Sequence, residues 1–331
     1  MQLSTRRLGD SALELTRIGL GTWGISGGRW KFGWGEQNPE DAVNTILRAV
    51  ELGINWIDTA PVYGDGVSEE HVGAALKKIP KENWPIIATK CGRIVNADGS
   101  ITPRLTRQSI LEECDKSLAR LGVDVIDLYQ IHWPDPVSDI EDGWEALIEL
   151  KKQGKVREIG VSNFNVEHLE RIMSMSKPAS LQPPYNLMAR GIENEILPFC
   201  GQHRIGIVAY SPLAKGMLTG KMTQDHVSKL PSDDHRSRDV RFQEPQLSIH
   251  WEMINQLTTI AKDYGQSLSE LAIAWTLRKD EVTSAIVGAR HPGQIEANVG
   301  GANWELNEGV IDEIDAIQRT WESRIQAVSK A

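Results

Sequence analysis

The chain has 331 residues, 40% of them hydrophobic and 24% charged, and 45 acidic against 36 basic side chains leave a net charge of −9. That balance excludes a phosphate-backbone binder, which needs a basic face to displace counterions, so no nucleic-acid partner is expected. The composition is that of a globular chain with an ordinary core, not of a disordered one, and no apolar run reaches the length of a membrane span.

The first seventeen residues lack the apolar core of a secretory signal. Cys91, Cys114 and Cys200 are odd in number, far apart and without CxxC spacing, so neither a disulfide framework nor a zinc site is expected. A reducing cytoplasm is the expected setting.

Residues 4–16 carry a Gly9-Asp10 turn between two extended runs, which predicts a hairpin. Ile18–Gly21 reads as a strand. Residues 41–52 repeat apolar side chains at Ala42, Val43, Ile46, Ala49 and Val50, the period of a helix. Pro39 stands near its first turn and Gly53 just past its end. The alternation then continues. Strands are predicted at 55–60, 86–90, 125–132, Val156–Ser162, Ser180–Gln182, 205–210 and 284–287. Helices are predicted at 68–78 (capped by Ser68), 106–121, 139–152, 166–174, 192–203, 249–264, 267–277, 294–299 and 311–322. Eight such strand-to-helix steps at roughly 25–35-residue spacing predict an α/β fold, one closed (β/α)8 barrel over residues 1–331. The long loop after strand 7, 219–246, is rich in Asp, Arg, Ser and Pro, and its length suggests a functional lid or a disordered segment.

Gly19-Leu-Gly21-Thr-Trp-Gly24 matches the G-x-G-x-x-G dinucleotide fingerprint, but the match is a decoy. That motif must open a helix and be followed by an acid about 20 residues on. Here a Gly- and Trp-rich run follows, and the next strand-end acid, Asp58, lies 34 residues beyond Gly24.

Catalytic groups in a (β/α)8 barrel gather at the C-terminal strand ends. Strand 1 ends in Thr22-Trp23, strand 2 in Asp58-Thr-Ala-Pro-Val-Tyr63, strand 3 in Thr89-Lys90-Cys91 and strand 4 in Gln130-Ile-His132-Trp133. Strand 5 ends in Ser162-Asn163, strand 6 in Gln182-Pro-Pro-Tyr185, strand 7 in Tyr210-Ser-Pro-Leu213 and strand 8 in Gly288-Ala-Arg290. Four of these groups make an acid–base device. Lys90 beside Tyr63 would lower the phenol pKa from its ordinary value near 10. Asp58 would keep a buried Lys90 charged, and His132 would hydrogen-bond a substrate oxygen. Singly, an Asp–Lys pair, a strand His or a loop Tyr is ordinarily structural. Their joint placement on three consecutive strands points to proton transfer.

Over nearly its whole length the sequence resembles the aldo-keto reductase superfamily. The resemblance rests on Gly19-Leu-Gly-Thr-Trp, Asp58-Thr-Ala-Pro-Val-Tyr-Gly, Ala88-Thr-Lys, Ile131-His, Gly160-Val-Ser-Asn-Phe, Gln182, Tyr210-Ser-Pro-Leu and the run from Gly288 to Asn298. It implies a barrel that binds NADPH, or less often NADH, and transfers hydride reversibly between nicotinamide and a carbonyl carbon of an aldehyde, ketone or sugar. Tyr63 would be the proton donor, with Asp58, Lys90 and His132 completing a tetrad. Potassium-channel β-subunits of the superfamily carry Asn where this chain has His132 and act mainly as partners, which favours a catalyst here.

For the cofactor, Ser162, Asn163 and Gln182 offer the donors and acceptors a carboxamide needs, and Tyr210 resembles the ring-stacking residue. Ser211, Pro212, Leu213, Lys215, Gly216 and Lys221 resemble a pyrophosphate loop, with Thr22, Trp23 and Asp58 completing the set. Many NADPH-using members carry Lys-Ser and a later Arg near the 2′-phosphate. Here those positions hold Gly288, Ala289 and Gln294, with Asn298 beyond. Arg290 is the remaining cation, with Arg236 or Arg238 of the long loop as further candidates. Trp23, Trp30, Trp34 and Trp133 are expected to wall a small-molecule carbonyl pocket, with Tyr63 and His132 at its floor.

Three other readings stay open at this stage. A metal-dependent hydrolase would need clustered ligands, and the histidines show no such spacing, so no metal is expected. A nicotinamide-binding regulatory subunit would turn over little. A sugar or polyol dehydrogenase would run the same groups in the oxidative direction. The oligomeric state is not legible.

Overall fold

The structure, a computed structural model, describes residues 2–28 and 30–329. Among them, eight parallel strands close into a barrel in chain order: β1 (Ile18–Gly21), β2 (Trp56–Asp58), β3 (Ile86–Cys91), β4 (Ile126–Ile131), β5 (Val156–Ser162), β6 (Ser180–Gln182), β7 (Gly206–Tyr210) and β8 (Val282–Gly288). Helices α1 (Pro39–Glu51), α2 (Val67–Leu76), α3 (Arg107–Leu121), α4 (Ile140–Lys152), α5 (Val166–Met173) and α6 (Ile196–His203) follow the first six strands. After β7 come α7 (Gln224–Ser228), α8 (Gln246–Asp263) and α9 (Leu268–Leu277), and after β8 come α10 (Pro292–Asn298) and α11 (Glu308–Ser329). The (β/α)8 expectation holds, and the G-x-G-x-x-G run has no dinucleotide fold behind it.

Local chemistry sets the helix starts. Asn38 accepts the backbone N–H groups of Glu40 and Asp41 at 2.8 and 3.3 Å, ahead of Pro39 in the first turn of α1. Ser267 and Glu270 cap each other reciprocally at α9. Ser68 does not cap α2 as expected. Gly66, at φ 90°, takes that place, and Ser68 lies inside the helix with its hydroxyl 2.6 Å from Thr22 Oγ1. Burial next to the strand ends makes Thr22 and Thr59 better partners for it than the helix terminus.

The predicted N-terminal hairpin pairs Thr5–Arg7 with Glu14–Thr16. Leu8, Leu13 and Leu15 plug the bottom of the barrel against Trp56, Ala88, Leu128, Val208 and Ile286. Those five strand residues face the barrel interior. Strand side chains alternate with period two, so Asp58, Lys90, Gln130, Tyr210 and Gly288, two residues further along each strand, face inward as well. The outer faces of the strands pack against the helices in one large core.

Two segments differ from expectation. Arg93–Val95 and Ile101–Pro103 form a hairpin after β3 that the sequence did not announce. Residues 219–246 are not a featureless loop. They hold α7 and two short 3-10 turns, His235–Arg238 and Val240–Phe242. Asp and Thr caps close these turns: Thr223 accepts from His226 N, Asp234 from Arg236 N and Asp239 from Arg241 N.

Candidate active site

Lys90 lies at the centre of the barrel mouth, with no exposed side-chain surface. Its ammonium donates to Asp58 Oδ2 at 2.7 Å, to the Thr59 carbonyl at 2.9 Å and to Tyr63 Oη at 3.3 Å. The four predicted acid–base residues therefore meet: Tyr63 also takes the His132 ring edge-on, centroids 5.8 Å apart at 78°. Burial pulls the Lys90 pKa down against the opposing pull of Asp58. Burial, and behind it Lys90 and Arg93, holds His132 well below its ordinary pKa, so the ring is neutral.

Tyr63 corrects the sequence expectation. Its phenol pKa is raised well above the ordinary value, by burial first and by the Asp58 charge second. Desolvating a phenolate outweighs one ammonium that already shares its charge with Asp58. The side chain is thus held as a protonated donor.

Behind this group lies a polar web in which the sequence reading gave a site role only to Thr22, as a cofactor contact. Thr22 Oγ1 donates to the Asp58 carbonyl at 2.9 Å, and Thr59 and Ser68 hydroxyls lie 2.9 Å apart. Thr89 and Arg120 clamp buried Glu69, each at 2.6 Å. Gln130 was also missed. It is fully buried, pairs in register with Lys90, and its Nε2 has no partner among the described residues. Its signal was its place two residues before His132 on one strand face.

The expected carboxamide set converges too. Gln182 Nε2 donates to Asp58 Oδ1 at 2.8 Å, and Ser162 Oγ to the Gln182 carbonyl at 2.8 Å. Asn163, at φ 63°, donates to the His132 carbonyl at 3.0 Å and accepts from Tyr210 Oη at 2.9 Å. Beyond Tyr210, Ser211, Ala214 and Lys215 all have positive φ, as does Gly216. Three non-glycine residues in that region within five positions is strain of the kind that collects at ligand sites. Pro212 and Leu213 are buried beneath this turn, and Lys221 is exposed beyond it.

Trp23 stacks on Tyr63 at 6.3 Å and 21°, and Trp30 lies 6.1 Å from the same ring. Trp34 is one layer further out: it meets Trp23 at 6.0 Å and carries the Arg236 guanidinium over its face at 4.4 Å. Trp133 stands at the rim, 43% exposed, under Arg93. The 219–246 segment straps across this aromatic wall. His235 stacks on Trp23 at 5.3 Å, Asp234 bridges to Trp34, and Arg238 donates to the Lys31 carbonyl at 3.1 Å.

Arg290, at the end of β8, is tied to the loop after β1. It donates to the Trp34 carbonyl at 2.7 Å, to Gln37 Oε1 at 3.0 Å and to the Glu36 carbonyl. Gln294 Oε1 accepts from the Arg290 N–H at 2.7 Å. Gly288 is exposed and Asn298 is buried at the end of α10. Arg236 is likewise held, by Asp234 at 2.7 Å.

The sequence model described as "Aldo/keto reductase family" matches residues 17–319. The chain belongs to the aldo/keto reductase family. It is 40% identical over 311 residues to the aldo-keto reductase YhdN of Bacillus subtilis, covering 94% of this chain and 92% of that one. It is 37% identical over 314 residues to the NADH-specific methylglyoxal reductase of Escherichia coli, covering 91% and 94%. The solved glycerol dehydrogenase AKR11B4 of Gluconobacter oxydans superposes with a TM-score of 0.86 at 38% identity, covering 96% of this chain and 95% of that one. This aldo/keto reductase is an NAD(P)H-dependent oxidoreductase acting at carbonyl groups. Among the described residues no helix is long and apolar enough to cross a membrane.

Proposed function

We propose that the chain reduces a small aldehyde, ketone or sugar carbonyl, with Tyr63 delivering the proton to the carbonyl oxygen. The observation that carries this is the Lys90 ammonium, held by Asp58 and Thr59 and placed 3.3 Å from the Tyr63 hydroxyl. Burial keeps Tyr63 protonated until a substrate oxygen gathers negative charge, and Lys90 is then positioned to stabilise the phenolate left behind. His132, neutral and edge-on to Tyr63, orients the same oxygen. Trp23 and Trp30 keep water from it. Trp34 and Trp133 extend the wall outward.

The residues fit a nicotinamide dinucleotide. Ser162, Asn163 and Gln182 lie together at the ends of β5 and β6, the orphaned Gln130 amide lies beside Gln182, and Tyr210 offers its ring next to Asn163. Thr22 and Trp23 flank the same opening, and Ser211 to Gly216, with Pro212, Leu213, Lys215 and Lys221, would hold the pyrophosphate. The bound cofactor supplies the hydride.

NADPH is the preferred form in this reading, with Arg290 as the phosphate contact and Gly288, Gln294 and Asn298 around the adenosine. Support comes from the closeness of Arg236, whose charge depresses the Arg290 pKa behind the effect of burial, with Asp234 and Asp233 opposing it. An anion between two such cations is stabilised. Against it stand the three bonds Arg290 already makes to the loop after β1, which a phosphate would have to replace. The NADH-specific methylglyoxal reductase keeps NADH in view.

The whole chain, residues 1–331, acts as one domain in a cytoplasmic setting, on small molecules. The glycerol dehydrogenase similarity supports a second direction, oxidation of a polyol by the same groups in reverse. The deciding experiment is NADPH and NADH oxidation against aldehydes, ketones and sugars, with Tyr63→Phe alongside. Turnover lost in the variant with cofactor binding kept supports the reading. Tight cofactor binding with no turnover in either direction favours a regulatory subunit instead.

A further inference from the structure

Behind the turn that follows β7 is a second cavity, of about 150 Å³, between that turn, the residues after β6 and the terminal helix α11. Asn186, Arg241, Gln246 and His250 supply its polar lining, and Met188, Phe242 and Trp321 much of its apolar wall. None of these residues belongs to the tetrad, and the cavity touches the turn assigned to the pyrophosphate only at Ala214.

His250 is 2% exposed. The Trp321 indole, which can only donate, gives its N–H to His250 Nδ1 at 3.0 Å. That bond puts the ring proton on Nε2. The buried Nε2 has no partner among the described residues. Burial and the neighbouring Arg241 depress the His250 pKa to about 4, so the ring stays neutral and remains a one-proton donor near neutral pH. An unmet buried donor is a standing cost that an acceptor would relieve.

Arg241 brings the charge. Its Nε donates to Asp239 Oδ1 at 2.8 Å, and Asp239 Oδ2 accepts from Lys215 at 3.1 Å. Arg241 Nη2 also donates to Asp239 Oδ2, and the Arg241 side chain is 47% exposed, so it reaches from the surface to the cavity wall. Lys215 belongs to the turn assigned to the pyrophosphate, and Arg241 is the cation of the cavity itself. A guanidinium has five N–H donors, more than Asp239 can take. The volume is about that of a cavity known to hold a six-carbon ring.

We propose that this cavity is a binding site for a small monocarboxylate, with the carboxylate on His250 Nε2 and Arg241 and a short alkyl tail against Met188, Phe242 and Trp321. The apolar wall separates this ligand from an inorganic anion, whose hydration it could not replace. The site stands independently of the reading of Tyr63.

The test is a titration of the full chain, labelled with ¹⁵N-histidine, with propionate and separately with inorganic phosphate. Propionate should shift the His250 Nε2 resonance saturably, with a Kd on the order of 1 mM for so small a ligand, and phosphate should not. Met188→Trp, which fills the cavity from its apolar side, should abolish the shift. If that variant does not fold, the wild-type titration still decides. No saturable shift with propionate, an equal shift with phosphate, or a shift that survives in folded Met188→Trp each overturns the proposal. Cofactor fluorescence measured in parallel reports on the barrel mouth alone, so a failure there leaves this result distinct.

Discussion

Lys90 and Asp58 form an ion pair at 2.7 Å with 0% and 4% of their side chains exposed, across the two neighbouring strands β3 and β2. Neither charge is stable in that environment alone. Their pairing lets a charged ammonium sit within reach of a phenol inside a barrel.

Removing one partner should therefore cost far more than removing both. Asp58→Asn should lower stability by about 3–5 kcal/mol, because it strands a buried ammonium. Asp58→Leu combined with Lys90→Met should recover much of that loss, while turnover stays abolished in both variants. Chemical denaturation and a carbonyl-reduction assay read the two effects separately.

The pH profile follows from Tyr63 and His132. Reduction needs a protonated phenol, and burial raises the Tyr63 pKa above its ordinary value. The reductive rate should stay level up to pH about 10. A falling limb centred near neutrality would show that another group titrates in the rate-limiting step. Tyr63→Phe should lower turnover by about 10²–10⁴.

His235 ties the strap to stability. Burial, with Lys215 adding to it, depresses its pKa from 6.5 to about 4. Below pH 6.5 the unfolded chain takes up a proton that the folded state refuses. The stabilisation is complete above 6.5 and is lost as the pH falls toward about 4. The melting temperature should drop across that window, and less steeply in His235→Gln. His250, also near 4, leaves a residual slope in the variant.

Arg290→Ala should narrow the ratio of NADPH to NADH affinity. It should also loosen the 34–37 segment, whose carbonyls Arg290 holds, and so raise proteolysis there. An unchanged affinity ratio with increased proteolysis would make Arg290 a purely structural clamp.

Gly19→Ala tests the barrel interior. A Cβ there would overlap the Trp56 indole, which is itself held by Ser284 Oγ at 3.0 Å. Overpacking should cost about 1–3 kcal/mol or more. The glycine of the false fingerprint is a packing residue in the barrel core.

The sequence by itself determined the eight strand-to-helix steps and the N-terminal hairpin, and it pointed to Asp58, Tyr63, Lys90 and His132, which the fold brings together. These are legible because apolar period, helix stops and strand-end polar groups are local, and a (β/α)8 fold sends strand ends to one face. Only the tertiary structure decided the burial of Tyr63, the places and partners of Gln130 and Glu69, the hairpin after β3, and the attachment of Arg290 and the 219–246 strap. All but the hairpin depend on residues far apart in the chain; the hairpin is local, pairing Arg93–Val95 with Ile101–Pro103, but its short strands carry no apolar alternation. Burial sets the phenol's proton affinity, and burial is a property of the closed barrel. Arg290 finds its acceptors about 250 positions away, on backbone carbonyls that any sequence would supply.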